Sequence, residues 1–427
     1  MFGGTSSASP LRERLRAALN QPVRKDGLVR SDSVTELADL SALGGRWFQS
    51  EHGPGYVIES VYEAGYMHGN VVLHRALSLD LSRLAGQARD PRLAERDPRD
   101  VIYVDTETTG MGGAGAMVFL AGVARFDGAL LRLRQYLLPG PQFEGGLLGG
   151  FADELANAGA LVSYNGKSFD LPLLEARYIL SRQRPTFREL PHLDLLHPNR
   201  RLFRGEFDSH RLPHMEVQLL GFERDDDCPS HEVPERYFRF ARTSDPTHIL
   251  PVLRHNAWDV LSLVALAAHL ASVVEGEGHP LHAARAAEYE GDYEAALAHY
   301  AAAIERGLGR AQRLEAIEHA ARCCKALGRH DEAAAWWERL LAEPRGRRVL
   351  PYVELAKYHE HRRRDYTRAL ELVDEALSLL RRGLVRPGRP GSETSAEALR
   401  HRRERLLRRS QRPGRRGDAT TITARLA

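Results

Sequence analysis

Carboxylate side chains that could hold metal ions follow a short apolar run in the first half of the chain. Asp105 and Glu107 come directly after the sequence Val-Ile-Tyr-Val at 101–104 and lie two positions apart. The period-two geometry of a strand places both side chains on the same side, where their charges repel each other. A divalent cation would neutralise such a pair, and hard oxygen ligands suit Mg²⁺ or Mn²⁺. The pair therefore predicts metal-dependent chemistry here, although an isolated D-x-E is also common on protein surfaces.

A third carboxylate, Asp170, stands at the start of a predicted helix. The pattern indicates a helix from about Phe169 to Ser181, with Ser168 as its N-cap, directly after a predicted buried strand. The alternative role of Asp170 is stabilisation of the helix dipole, which is routine for an N-terminal Asp.

His255 and Asp259 lie four residues apart in a long predicted helix at about 247–274. This spacing puts both side chains on one face, so that both can meet one ligand. The alternative is a His–Asp hydrogen bond that only stabilises the helix.

The elements that position these groups predict an α/β fold. Strands are expected at 101–105, 116–126, 130–138, 160–164 and 192–196, with a hairpin turn at Asp127-Gly128. Three antiparallel strands followed by strands that alternate with helices indicate a mixed sheet flanked by helices. We expect this domain to span residues 99–275, after an N-terminal region, 1–98, that shows no catalytic pattern.

Residues 280–382 show only helical patterns, and these patterns repeat. Gly291-Asp292-Tyr293, Gly328-Arg329-His330 and Arg364-Asp365-Tyr366 each precede an amphipathic stretch, with predicted helices at 293–306, 331–342 and 366–380. The intervals are slightly longer than the tetratricopeptide period of about 34 residues. The pattern therefore predicts an all-α domain of stacked, tetratricopeptide-like helical pairs.

The C-terminal segment 383–427 is rich in Arg, Pro and Gly, and its composition predicts disorder, with one basic helix from His401 to Arg409 as the alternative. From Arg381 onward the chain has 14 arginines against 4 acidic residues, although its overall formal charge is only +3. The basic character therefore belongs to this segment and is weak evidence for nucleic-acid binding by the whole chain.

The bulk composition is typical of a folded cytoplasmic protein. Hydrophobic residues make up 43% of the chain and charged residues 27%. We find no continuous apolar run of about 18 residues and expect no membrane association. The three cysteines, Cys228, Cys323 and Cys324, have no disulfide or metal-site spacing and are expected to be buried thiols.

Several motifs in one order resemble the DEDD superfamily of ribonuclease-H-like exonucleases, and more closely the YprB-like family within it. The motifs are Asp105 to Gly110, Gly112 to Gly115 before Val118 to Gly122, Asn165 to Asp170, His192 to Leu196, and His255-Asn256 with Asp259. They cover about 170 residues. The resemblance implies a ribonuclease-H-like sheet and a metal-dependent nuclease that degrades single strands from the 3′ end.

The resemblance also implies roles for the individual residues. Asp105, Glu107 and Asp259 would hold one metal ion, and Asp105 with Asp170 would hold a second. His255 would orient or deprotonate the attacking water. Three residues separate His255 from Asp259, which is the spacing of the tyrosine subclass of the superfamily, so His255 occupies the position of that tyrosine.

Residues beside the carboxylates are candidates for substrate binding, and they are Thr108, Asn165, Lys167 and Phe169. Lys167, together with Arg200, Arg201 and Arg204, could meet phosphates, whereas Phe169, Phe203 and Trp258 could stack on bases. The alternative is that the aromatic residues belong to the core and the arginines to a solvated loop. Asp194 is a candidate supporting carboxylate.

Two other functions remain open from the sequence. The chain could be a catalytically silent nucleic-acid-binding or scaffold protein whose helical repeats recruit a protein partner. It could also be a phosphoesterase that acts on small nucleotides. The sequence does not distinguish DNA from RNA as the substrate.

Overall fold

The strand that carries Asp105 lies inside a mixed seven-stranded sheet. The computed structural model describes residues 40–110, 115–184, 187–343 and 348–411. The strands are β1 (Arg46–Ser50), β2 (Gly53–Tyr62), β3 (Met67–His68), β4 (Val71–Val72), β5 (Val101–Thr108), β6 (Val118–Asp127), β7 (Leu130–Leu137), β8 (Ala160–Ser163) and β9 (His192–Asp194). The sheet order is β1-β2-β7-β6-β5-β8-β9, and β3 pairs with β4. Neighbouring strands in the part of the sheet that runs β1-β2-β7-β6-β5 are antiparallel. Strands β5, β8 and β9 are parallel to one another.

Helices cover this sheet. They are α1 (Leu81–Ala88), α2 (Glu144–Ala156), α3 (Asp170–Leu180), α4 (Leu196–Leu202), α5 (Leu212–Met215), α6 (Val233–Thr243) and α7 (Pro246–Val274), and a π-helical turn, Glu216–Leu220, follows α5. The arrangement confirms the predicted fold class. The hairpin turn at Asp127-Gly128 is also confirmed, since Gly128 has a φ of 61° between β6 and β7.

The sheet extends beyond the predicted domain boundary at residue 99. Strands β1 and β2 belong to it, because β2 pairs along its length with β7. Helix α2 packs on this added hairpin through a face of glycines: a Cβ on Gly146 would lie 2.0 Å from the Pro54 carbonyl oxygen, and one on Gly150 would lie 2.5 Å from the Phe48 ring. The glycines concealed this helix from the sequence pattern, since they are poor helix formers. Residues 1–39 of the predicted N-terminal region lie outside the described residues.

Helix α7 crosses the sheet and forms the centre of the core. It packs against strands β5 to β8 and starts at an N-cap, Asp245, whose carboxylate accepts the Thr247 N–H at 2.9 Å. This helix is long and apolar enough to cross a membrane, but 72% of its most apolar window is buried inside the protein. Its apolar character is that of a core helix.

The region after the sheet is entirely helical within the described residues. Its helices are α8 (Pro280–Glu290), α9 (Tyr293–Arg306), α10 (Arg310–Ala326), α11 (His330–Ala342), α12 (Val349–Tyr358), α13 (Tyr366–Arg381) and α14 (Ala396–Ser410), with a π-helical turn, His359–Arg363, after α12. Each helix packs against the next one in the chain. The all-α region is confirmed, whereas its assignment to the tetratricopeptide class stays a prediction.

The prediction of disorder from residue 383 is wrong for helix α14. This helix buries Leu399 and Leu406 in the helical core. Three of its arginines, Arg402, Arg405 and Arg409, form salt bridges with Glu360, whose side chain is completely buried. The composition predicted disorder because a segment rich in Arg, Pro and Gly has little apolar surface to bury. The rest of the basic segment, 412–427, lies outside the described residues.

A polar junction joins the helical region to the sheet domain. Arg285 of α8 is only 4% exposed and reaches the chain just after α4. It donates to Glu206 at 2.9 Å and to the Arg204 carbonyl at 3.1 Å, and it also binds Glu315 of α10. His282 lies 2.9 Å from the other oxygen of Glu206. Buried charges that are satisfied by several partners fix one relative orientation of the elements they connect.

Candidate active site

Asp105 is held in place by a row of residues that crosses three strands. In the sheet, Asp105 pairs with Gly122 of β6, and Gly122 pairs with Gln135 of β7. The Asn256 side chain of α7 lies over this row, donating to Asp105 Oδ2 at 2.9 Å and accepting from Gln135 Nε2 at 2.9 Å. A Cβ on Gly122 would lie 2.3 Å from Asn256 Oδ1. The glycine therefore makes room for the amide that orients Asp105.

Glu107, His255 and Asp259 form the tightest group of potential metal ligands in the part of the chain that the structure describes. One ligand atom from each lies within 4.8 Å of the others. His255 Nε2 is 3.5 Å from Asp259 Oδ2 and 3.9 Å from Glu107 Oε1. Strand β5 supplies Glu107 and helix α7 supplies the other two, as their spacing in the sequence requires. Neither Asp105 nor Asp170 completes this group.

The histidine ring is oriented by a carboxylate that the sequence analysis did not identify. His255 Nδ1 lies 2.7 Å from Asp227 Oδ1. This short contact favours a proton on Nδ1, which leaves Nε2 turned towards Glu107 and Asp259. A histidine held in this way is suited to orient a water or to accept its proton.

Arg224 connects these acidic groups to the interior. Its guanidinium donates to Asp259 and, at 3.1 Å, to Asp227. It also makes a two-point contact with Glu216, at 2.6 and 2.7 Å, although Glu216 is fully buried. Burial lowers the pKa of Arg224, but the charges on Asp259 and Glu216 outweigh it and raise the pKa. Arg224 therefore stays protonated and supplies a positive charge at the edge of the cluster.

The fourth predicted carboxylate, Asp170, reaches strand β5 from helix α3. It begins α3 and accepts a hydrogen bond from the Thr106 hydroxyl. The predicted N-cap at Ser168 is wrong, since Phe169 occupies the cap position and no side chain caps the helix. The preceding loop packs closely: a Cβ on Gly166 would lie 2.4 Å from Ser163 Oγ and 3.5 Å from Asp170 Oδ2.

Asp194 supports the loop before Asp170. It is buried, and its carboxylate accepts the backbone N–H groups of Asn165 at 2.7 Å, Lys167 at 3.1 Å and Leu196 at 3.2 Å. These bonds engage both oxygens, so Asp194 fixes the loop that carries Asn165 and Phe169. This arrangement agrees with the supporting role considered for it from the sequence.

Burial and neighbouring charges raise the pKa of Asp105, Glu107 and Asp170. Burial raises the pKa of Asp105 well above its usual value, and the charges on Asp259 and Asp170 raise it further, although the Asn256 amide lowers it. Burial and the same two neighbours also raise the pKa of Glu107. Burial raises the pKa of Asp170 to about 6, against the opposing hydrogen bond from Thr106. Such a set of oxygen donors, with one imidazole nitrogen, fits hard divalent cations.

The predicted substrate-binding residues differ in accessibility. Phe169 is 52% exposed, and Lys167 is exposed beside it. Asn165 adopts a φ of 65°, a conformation that Asn tolerates in turns. The Thr108 hydroxyl donates to the Gly110 carbonyl at 2.9 Å, a contact within the turn after β5. The glycines at 112 and 113 in the motif lie outside the described residues.

Other residues that the sequence predicts to contact the substrate make contacts within the protein. Phe203 is 2% exposed in the core. Arg201 lies 3.4 Å above the Tyr289 ring and donates to Gln87, whereas Arg204 pairs with Glu315 at 2.5 Å. Arg201 and Arg204 thus contact residues of the helical region, although the Arg204 side chain is 58% exposed, and their assignment to phosphates stays a prediction.

Sequence reasoning missed the residues that support the site from distant positions. Arg224 and Asp227 belong to the run Glu-Arg-Asp-Asp-Asp at 223–227, which is typical of a solvated loop. Glu216 and Gln135 lie in apolar surroundings without any local motif. Asn256 and Gly122 were noted only as motif positions, and the pairing of a strand glycine with a helix amide needs the tertiary structure.

Comparisons with known proteins bear on the same segment. Residues 102–271 match a family described as the RNase_H superfamily. The uncharacterized protein YprB of Bacillus subtilis (strain 168) is 31% identical over 366 residues, which cover 81% of this chain and 86% of that protein. The chain belongs to the YprB family. Its site residues, from Asp105 to Asp259, all lie inside the segment that matches the RNase_H superfamily.

A solved structure was also compared with this YprB family member. The family B DNA polymerase from the hyperthermophilic archaeon Pyrobaculum calidifontis is 20% identical, with a TM-score of 0.32, and the match covers 47% of this chain and 29% of the polymerase. This likeness is too weak to support any conclusion about the present chain. The ribonuclease-H-like fold itself is that of nucleases which use divalent metals, and it implies a nucleic acid as the substrate.

Proposed function

We propose that the chain is a metal-dependent nuclease that hydrolyses phosphodiester bonds of single-stranded nucleic acid, from the 3′ end, with two divalent cations. The observation that carries this proposal is the convergence of Glu107, His255 and Asp259 within 4.8 Å, beside Asp105 on the same strand. The raised pKa of Asp105 and Glu107 supports it, because carboxylates held so close together are stabilised when cations neutralise them.

Each carboxylate has a place in this scheme. Asp105, Glu107 and Asp259 would hold one Mg²⁺ or Mn²⁺, and Asp105 with Asp170 would hold the second. When bound, the cations would activate water and stabilise the charge on the leaving oxygen. The Asn256 amide and the Thr106 hydroxyl fix the orientations of Asp105 and Asp170. The orientations of these two ligands are therefore set before a cation binds.

His255 would accept a proton from the attacking water. With Nδ1 bound to Asp227, its Nε2 faces the site and can take a proton from the water that attacks phosphorus. A new P–O bond forms with the water oxygen, the bond to the 3′ oxygen breaks, and the departing oxygen takes a proton from solvent. Arg224 holds Asp227 and Asp259 in place during this step.

The test is the degradation of single-stranded DNA and RNA, labelled at either end, by the full chain with Mn²⁺, beside Asp105→Ala. Loss of cleavage in the variant, with an unchanged circular dichroism spectrum, is expected. The positions of the labels report polarity, and the two polymers report the sugar preference. Full activity in Asp105→Ala would contradict the site assignment. No cleavage of either polymer by the wild type would favour the binding or scaffold function instead.

A further inference from the structure

A cavity of about 710 Å³ opens between the loop that precedes α3 and the segment that leads into α5. Its walls come from Tyr164, Asn165 and Phe169 on one side and from residues 208–212 on the other, with Leu196 and Arg200 of α4 between them. The Tyr164 hydroxyl donates to the His210 carbonyl at 2.7 Å and so joins the two walls. The volume lies within the range of small-ligand pockets, which is about 300–1,000 Å³.

The cavity lies next to the proposed cleavage site. Phe169 is adjacent to Asp170 in the chain, and the loop that carries it is fixed by Asp194. A ligand in the cavity would therefore lie beside the carboxylates, against a wall that is already ordered.

The residues that line the cavity can contact both the base and the phosphate of a nucleotide. The exposed ring of Phe169, with Tyr164 and Leu212, offers apolar and aromatic surface for a base. Arg200 and Arg211 are exposed guanidiniums suited to phosphate oxygens. Asp208 at the rim offsets only part of this charge.

Arg200 and Arg211 differ from the neighbouring Arg201 and Arg204, whose guanidinium groups contact other side chains. Among the described residues, neither Arg200 nor Arg211 forms a salt bridge, whereas Arg201 and Arg204 are engaged by Tyr289 and Glu315. Arg200 follows Leu196 by four positions on α4, so both side chains face the cavity. The positive charge here is thus available to a ligand.

We propose that this cavity is a nucleotide subsite, which binds one base and the adjoining phosphate of a single-stranded polynucleotide, with Arg200 and Arg211 on the phosphate and Phe169 on the base. The proposal rests on the proposed nuclease function for the identity of the ligand. It assigns Arg200 and Arg211 a role in substrate affinity, without contact with the carboxylates.

The test measures binding separately from cleavage. Fluorescence anisotropy would follow labelled oligo(dT) and oligo(U) on the full chain in EDTA, where no metal-dependent cleavage occurs. Arg200→Ala and Arg211→Ala, compared with the wild type, are each expected to weaken binding about tenfold. Each should also reduce the salt dependence of log Kd by about 0.7. Phe169→Ala should weaken binding at least about fivefold and leave the salt dependence unchanged.

Two control variants make the result specific. Arg99 is an exposed arginine that precedes β5, at the opposite end of this strand from Glu107, so Arg99→Ala should bind as the wild type does. Arg200→Lys keeps the charge but loses the guanidinium fork, so it should retain the salt dependence while binding more weakly than the wild type. Thermal melts confirm that the variants are folded.

The outcomes separate this proposal from the nuclease proposal. Weakened binding by the two alanine variants supports the subsite, even if the wild type cleaves nothing with Mn²⁺. Wild-type binding that Arg200→Ala and Arg211→Ala leave unchanged overturns the subsite, even if cleavage is robust. Failure of the wild type to bind either oligonucleotide also overturns it, as does tighter binding of free thymidine or uridine monophosphate than of the oligonucleotides.

Discussion

Buried carboxylates occur in two regions of this chain under opposite electrostatic conditions. At the sheet, Asp105 and Glu107 face Asp170 and Asp259, and the pKa of both is raised. In the helical region, Glu360 is surrounded by arginines of α14: burial raises its pKa, but the hydrogen bond and charge of Arg405 outweigh this and lower it. The first arrangement costs stability and suits the binding of cations. The second is neutralised within the chain and holds a helix in place.

This difference indicates which carboxylates can be replaced without loss of stability. Removing one member of a group of like charges relieves repulsion, whereas removing a carboxylate from three arginines leaves those arginines unneutralised. The same type of substitution should therefore affect activity in one region and stability in the other.

The largest effect is expected for Asp105→Ala. This change removes a ligand proposed for both cations, and even residues that only support metal ligands are worth about 10–100-fold. We therefore expect cleavage to fall by more than about 100-fold, with an equal or higher melting temperature because a repelling charge is gone. Initial rates and thermal melts check this. A large fall in melting temperature would show that Asp105 stabilises the fold.

Gly122→Ala should disturb the orientation of Asp105 through a steric clash. The new Cβ would lie 2.3 Å from Asn256 Oδ1 and displace the amide that orients Asp105. We expect activity to fall by about 10–100-fold. Gly128→Ala, in the exposed turn between β6 and β7, is the control for glycine replacement alone, and it should retain activity. Equal activities of the two variants would rule out the orienting role of Asn256.

Glu360→Gln should act in the opposite way, on stability without loss of chemistry. Its three salt bridges have partners that are 12%, 35% and 43% exposed, so their contribution is reduced by solvent. We expect the free energy of unfolding of the helical region to fall by about 2 kcal/mol. Urea unfolding followed by circular dichroism measures this. A change in cleavage rate at a temperature where the variant is folded would contradict the separation of the two regions.

The smallest effect is a pH dependence of the same contact. The pKa of Glu360 is lowered from 4.5 in the folded protein, so its stabilisation is fully present above pH 4.5 and is lost as the pH falls through the lowered value. The difference in unfolding free energy between the wild type and Glu360→Gln should therefore shrink below pH 4.5. A difference that stays constant down to pH 3, at about its neutral value, would show that packing rather than charge is responsible.

The sequence predicted those parts of the fold that depend on local patterns. The Asp127-Gly128 turn and the helix Tyr293–Arg306 were predicted correctly because a turn dipeptide and an amphipathic period are local signals. Helix α2 was missed because its glycines serve contact with β1 and β2, which no local pattern shows. Helix α14 was misjudged because its arginines find their partner some 40 residues away, at Glu360.

The candidate site shows the same limit. Motifs indicated the carboxylates on β5, α3 and α7, but not the groups that orient them. Arg224 is 6% exposed although it lies in a strongly charged run, since Glu216 and Asp259 draw its side chain inward. Which of several neighbouring arginines has a side-chain partner was equally unpredictable, because Arg201 and Arg204 contact residues of the helical region that are distant in the chain.

The junction at Arg285 determines how the helical region could serve the enzyme. A domain joined by a flexible linker raises the concentration of its binding partner near the site only on average, over all the positions that the linker can reach. Here Arg285 and His282 bind Glu206, four residues before the cavity wall at His210, so the helical region is a fixed arm. A protein partner bound to the helical region would present the nucleic-acid strand that it carries to the candidate site at one distance and in one direction.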